Sequence, residues 1–184
     1  MDEISLHVLD IVQNSISANA TLIIVNIIED TKEDKIEIEI IDNGKGMSEE
    51  ELKLIENPFY TTKNYKKVGL GIPLLKQIAL SSDGDFKIES KKGEFTKVYI
   101  KFKKSHPDTP PIGNLKDTIL TLILTSENFD IKFHYKKENK ILEIDSREIK
   151  KFLGDIPINH PEVIKFIRNY LNDNFKNLEV QSET

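Results

Sequence analysis

The chain has 184 residues, 38% hydrophobic and 31% charged, with a formal net charge of −5, enough for one soluble globular domain or one with a small appendix. It contains no cysteine, which excludes disulfides and thiolate–metal sites. No apolar run nears the ~20 residues that span a bilayer, and neither half is basic enough to suggest a nucleic-acid footprint.

Apolar positions with helical spacing predict a first helix from about Asp2 to Asn19. Two strands follow, Thr21 to Glu29 and Lys35 to Asp42, joined by a hairpin connection at Lys32-Glu33-Asp34. In the second, Ile36, Ile38 and Ile40 alternate with Glu37 and Glu39, as on a half-exposed sheet. Ser48 is placed to cap a helix beginning Glu49-Glu50-Glu51, which Asn57 and Pro58 end. A further helix follows Gly71, with Leu74, Leu75, Ile78 and Ala79 on or near its buried side. After a turn at Ser81 to Gly84 come strands Asp85 to Ser90 and Thr96 to Phe102. Ser105 to Gly113, with Pro107, Pro110 and Pro111, reads as a linker between a domain of residues 1–104 and a unit of 114–184. That unit is expected to hold a helix (Leu115 to Thr125, capped by Asn114), a hairpin (Phe129 to Tyr135, Lys140 to Asp145) and helices Arg147 to Leu153 and Pro161 to Asn174. Helix, two strands, two helices, two strands imply an α+β fold, an antiparallel or mixed sheet with helices on one face.

Three stretches can carry chemistry. At ~100° per residue, His7, Asp10, Asn14 and Ala18 share one stripe of the first helix, while Leu9, Val12 and Ile16 lie on the far side, free to pack on the sheet. A carboxylate and a carboxamide one turn apart can position a water and hold a hydrated magnesium ion, which needs only one side-chain oxygen. Asp42 ends a strand and opens Asp42-Asn43-Gly44-Lys45-Gly46-Met47, where a carboxylate can accept from an exocyclic amine and the glycines let backbone approach a flat base. Gly69-Leu70-Gly71 ahead of a helix offers free N–H groups that suit phosphate, with Lys63, Lys66 and Lys67 nearby. Each has an ordinary alternative: a solvated helix face, a strand-to-loop turn, a solvated basic loop.

Together and in this order, the segments from Leu6 to Phe102 resemble the ATP-binding domains shared by DNA gyrase, Hsp90, histidine kinases and MutL. The helix of Asp10 and Asn14 looks like that family's N box, Asp42 to Met47 its first glycine box, Pro58 to Lys63 its F box, Gly69 to Ile72 its second glycine box, and Gly93-Glu94-Phe95-Thr96 its last box. The resemblance implies a two-layer α/β sandwich of the Bergerat type, with a small α+β C-terminal unit, binding ATP and magnesium. Asn14 would ligate the magnesium and Asp42 would receive the adenine amino group. Gly44, Gly46, Met47 and Thr96 would close the base pocket. Gly69, Leu70 and Gly71 would present amides to the phosphates, with Thr62 and Lys63 beside them. Asn64 to Val68 would form a short lid.

Two departures from the family pattern stand out. Phe95 occupies the place of the last box's second glycine, which predicts a different local turn. Four residues before Asn14 the family's hydrolases and serine kinases carry Glu and its histidine kinases tend to carry Asn. Asp10 there favours a site that uses a base. Because Asp is one C–C bond shorter than Glu, slow turnover is expected.

A phosphoacceptor histidine on a dimerisation helix pair ahead of the ATP domain is not expected; His7 sits on the site helix itself, with surface or supporting polarity as its expected role. The resemblance therefore implies a small regulator with a protein partner, either a slow ATPase or a serine/threonine-type kinase like the anti-sigma factors. The alternative is a non-catalytic, ATP-gated interaction module. The start Met1-Asp2-Glu3 lacks a signal peptide's basic segment, so the expected location is the cytoplasm. Beyond Pro107 acidic residues outnumber basic ones, so the final helices are not expected to bind DNA.

Overall fold

Period-two burial decides the sheet. In β1 (Leu22–Asp30) and β2 (Lys35–Asp42) every second side chain is buried, so one face of each strand packs inward and the other meets solvent. The computed structural model describes residues 3–57 and 71–180. Six strands form one mixed sheet in the order β3-β4-β2-β1-β5-β6, with β3 at Asp85–Lys91, β4 at Phe95–Lys103, β5 at Asp130–Lys137 and β6 at Lys140–Asp145. Every pairing is antiparallel except β1 with β5, which is parallel. Helices α1 (Ile4–Ser17), α3 (Gly71–Ser81) and α4 (Leu115–Leu124) share the sheet's buried core, giving the expected α+β two-layer architecture.

The short helix α2 (Glu49–Glu56) starts as its sequence predicts. Ser48 Oγ accepts from Glu51 N, and the Glu51 carboxylate accepts from Ser48 N at 2.8 Å, a reciprocal capping box. Helices α5 (Ser146–Leu153) and α6 (Pro161–Glu179) complete the described chain, α6 running five residues past its expected end.

Two expectations about buried faces are corrected. On α1, Val12 is buried and Leu9 and Ile16 pack against the core as expected, but the buried arc is wider and takes in Ile4, Val8, Ile11, Ser15 and His7, which is only 5% exposed. This helix packs against α3 and α4 as well as β2, so its buried arc is wider than a single sheet contact would make it. Leu74, expected near the buried side of α3, is exposed; Ile72, Leu75 and Ala79 are the core residues.

The stretch from 105 to 113 separates no two sheets. The Ser105 N–H and hydroxyl reach the Asp34 carboxylate at 2.8 and 2.7 Å, and Pro110 is buried. The N–H groups of Ile4 and Ser5 donate to the carbonyls of Pro111 and Ile112. Beyond it, β5 pairs with β1 in the register Ile23↔Ile131, Val25↔Phe133, Ile27↔Tyr135. Residues 114–180 thus extend the first sheet and share its core. A two-stranded hairpin is marginal alone; pairing with β1 sets Ile131, Phe133 and Tyr135 in the shared core.

Candidate functional site

The C-terminal turn of α1 is stapled to the loop that follows β2. Ser15 Oγ donates to Asp42 Oδ2 at 2.6 Å, Lys45 N donates to Ala18 O at 2.9 Å, and Gly44 N donates to Asp42 Oδ1 at 2.8 Å. Asn43 anchors the same loop to the start of β1, its Oδ1 accepting from Thr21 N and Leu22 N at 2.8 and 2.9 Å. Asp42 is 5% exposed. A buried carboxylate needs such donors, and here one sits on each oxygen, which fixes the group's orientation.

The two glycines of this loop have a physical basis that differs from the expected room for a ligand. A Cβ on Gly44 would lie 2.8 Å from Ala18 O and 2.9 Å from Asp42 Oδ1, and one on Gly46 would lie 2.0 Å from Lys91 O. Gly46 also has φ +61°, a conformation open to glycine. Both are required by the chain's own close approaches: Gly44 to the end of α1, Gly46 to the β3–β4 hairpin.

That hairpin closes at Gly93, whose φ is +82° and whose N–H donates to Lys45 O at 2.6 Å. Phe95 opens β4 opposite Lys91, without a left-handed backbone. Thr96 stands directly across from Asp42 in the β2–β4 ladder.

Between α1, the loop, α2 and the sheet lies a cleft of about 340 Å³. Asn14, Asp42, Gly46, Met47 and Thr96 all line it, with apolar walls from Ile11, Ile40, Ile55, Ile72 and Val98. Gly44 stands behind Asp42. Asp10 is one turn before Asn14 on α1, exposed and off the cleft lining. Gly71 is the first residue of α3. Thr62, Lys63, Gly69 and Leu70, together with the Asn64 to Val68 lid, lie outside the described residues.

Several contributors were assigned no role by any motif. Ser15 is a polar residue inside the apolar arc of α1, and that is its only local signal. Lys45 and Glu51 line the cleft, Glu51 with its carboxyl held below the usual range, first by the Ser48 N–H. Ser90 on β3 lies behind Thr96, 2.9 Å between hydroxyls. A second cavity of similar volume lies where Glu29 and Tyr135 meet the start of α4 and the end of α6. At its floor Glu29 is already paired with Tyr135 and Lys104.

A family model described as histidine kinase-, DNA gyrase B- and HSP90-like ATPase matches residues 2–106. That is more than half of the chain, and the chain belongs to this family. Sporulation kinase C of Bacillus subtilis is 47% identical over 57 residues, covering 31% of this chain and 13% of the kinase. Sensor protein DegM of a Bacillus species is 35% identical over 92 residues, covering 50% of this chain and 24% of that protein. The matched stretches span a small part of these relatives. The solved N-terminal domain of a DNA repair protein superposes with a TM-score of 0.51 at 16% identity, over 84% of this chain and 58% of that one. The likeness is one of fold, and it extends beyond the 2–106 stretch. Among the described residues no helix is long and apolar enough to cross a membrane.

Proposed function

We propose that the chain binds ATP with magnesium in the α1–β2–β4 cleft and acts as a cytoplasmic regulator of a protein partner, as a slow ATPase or a serine/threonine-type protein kinase. One observation carries the reading: Asn14 and Asp42, 28 positions apart in the sequence, line a single apolar-walled cleft in a chain of the histidine-kinase-like ATPase family. The donor set suits the ligand. Asp42, oriented by Ser15 and Gly44, is an acceptor for an exocyclic amine, and the apolar walls suit the faces of a flat base. Asn14 offers one side-chain oxygen at the rim, enough for magnesium that keeps most of its waters and takes the rest of its ligands from phosphate.

Magnesium bound there would supply charge neutralisation along the phosphates. Asp10, exposed one turn away, is the chain's own group for accepting a proton from an attacking water or hydroxyl. The test is incubation of the full chain with γ-labelled ATP and magnesium, followed for both released phosphate and labelled protein. Released phosphate or label on serine or threonine supports the enzyme reading.

A second reading has its own support. The start of the helix that carries Asn14 is bonded to the chain's C-terminal half: Ile4 and Ser5 to Pro111 and Ile112, and Glu3 Oε2 to Asn114 N at 3.2 Å. A nucleotide that shifts α1 would be felt at α4. In this reading the protein is an ATP-gated interaction module without turnover, and ATP binding with neither product in the same assay favours it.

A further inference from the structure

Among the described residues the Ser90 hydroxyl has three hydrogen-bonding neighbours. Met47 N is 2.8 Å away, Phe95 O 2.7 Å and Thr96 Oγ1 2.9 Å. A serine hydroxyl has one proton to give and two lone pairs. Met47 N–H can only donate, so it occupies one lone pair. Phe95 O can only accept, so it takes Ser90's proton. The remaining contact is satisfied only if Thr96 donates its own proton into Ser90's second lone pair. Ser90 is then saturated, and Thr96, its proton used, turns only lone pairs toward the cleft it lines.

Directly across the β2–β4 ladder, about 5 Å away backbone to backbone, stands Asp42. Among the described residues its carboxylate oxygens each accept one bond, from Ser15 and Gly44, and have further lone pairs to offer. Among the described residues no donor stands between these two acceptors, and both residues line the cleft. They match an amino group, which has two N–H bonds to give, and repel a carbonyl oxygen.

We propose that Ser90 is a specificity-determining positioning residue: by holding the Thr96 proton it keeps Thr96 an acceptor beside Asp42, so the cleft selects a 6-amino purine over a 6-oxo purine. This deepens the nucleotide reading above and rests on it. Ser90 lies on β3 behind Thr96 and is not part of the cleft lining, so its effect passes through Thr96.

The experiment is calorimetric titration of the full chain, with magnesium, by ATP and by inosine triphosphate, which replaces the 6-amino donor by a 6-oxo acceptor and the N1 acceptor by an N1–H. Wild-type chain prefers ATP. Ser90→Ala frees the Thr96 hydroxyl to rotate and donate, so the ATP-to-ITP preference narrows about fivefold, the worth of one neutral hydrogen bond. The narrowing comes chiefly from tighter ITP binding. Ser90→Thr, which restores a hydroxyl on a strand, restores the preference. In a Thr96→Val background Ser90→Ala no longer changes the ratio. If Ser90→Ala does not fold, Ser90→Cys, a weak donor and acceptor, is read in the same way. An unchanged ATP-to-ITP ratio in the alanine variant, even with both affinities reduced, overturns the proposal and leaves Ser90 a prop for the Met47 turn. Wild-type chain that binds neither nucleotide overturns the underlying nucleotide reading, and does so before any variant is compared.

Discussion

Ser15 donates to Asp42 at 2.6 Å across 27 positions of sequence, both side chains buried. This bond joins the helix that carries Asn14 to the strand end that carries the carboxylate, so it ties together two elements that line the cleft. Ser15→Ala removes a charge-assisted bond and leaves one oxygen of a buried carboxylate without its partner, a loss of about 1–3 kcal/mol. The expected outcome is a lower urea midpoint together with weaker ATP binding. ATP affinity that stays at the wild-type value would show that the orientation of Asp42 does not matter to the ligand.

Asp42→Asn tests the acceptor itself. The substitution keeps the shape but removes the charge, and its NH2 group can face the amine it should receive. The expected cost is about 1.5–3 kcal/mol of ATP binding, roughly 10- to 150-fold in affinity. Calorimetric titration gives the number, and an unaltered dissociation constant would remove Asp42 from the base site.

Asp10→Asn separates the two proposed functions. If the Asp10 carboxylate is the general base, turnover or phosphotransfer falls by roughly 10²–10⁴ while ATP affinity holds, because the side chain lies off the cleft lining. Measured side by side, equal activity in variant and wild type would dismiss Asp10 as the base.

The elements were legible in the sequence wherever burial repeats with a simple period. The alternation of Ile36, Ile38 and Ile40 gave β2 its buried face, and Ser48 with Glu51 gave α2 its start, because both signals are local. The parallel pairing of β1 with β5 joins strands roughly a hundred residues apart, and no local pattern encodes such a partner. The sequence therefore suggested a separate C-terminal unit where the sheet is continuous.

The cleft was legible for the same reason in part. Asn14, Asp42, Gly46 and Met47 belong to recognisable segments, but no motif assigns a role to the hydroxyls that hold Asp42, Met47 and Thr96. Ser15 and Ser90 look like ordinary serines until tertiary contact supplies Asp42 and Thr96. The wider buried arc of α1, which draws in His7, follows likewise from packing against α3 and α4.

The joint between the two halves makes a prediction of its own. Tyr135 on β5 donates its phenol proton to Glu29 Oε2 on β1 at 2.9 Å, and Lys104 Nζ lies 2.9 Å from Glu29 Oε1. Burial, then the Glu29 charge and hydrogen bond, push the Tyr135 phenol well above its ordinary value of 10.0. A folded-state pKa raised above the unfolded one adds stability that is full below pH 10.0. That stability is lost as pH rises beyond it, by about 1.4 kcal/mol per pH unit, because only the unfolded chain gives up the proton. Tyr135→Phe leaves Glu29 short of a donor and costs about 1–3 kcal/mol at pH 8. Since the variant has no phenol at this position to titrate, its deficit against wild type shrinks between pH 8 and pH 11. Urea unfolding of both proteins at the two pH values reads the difference; a deficit that stays constant would show that folding does not hold the Tyr135 proton above its ordinary titration range.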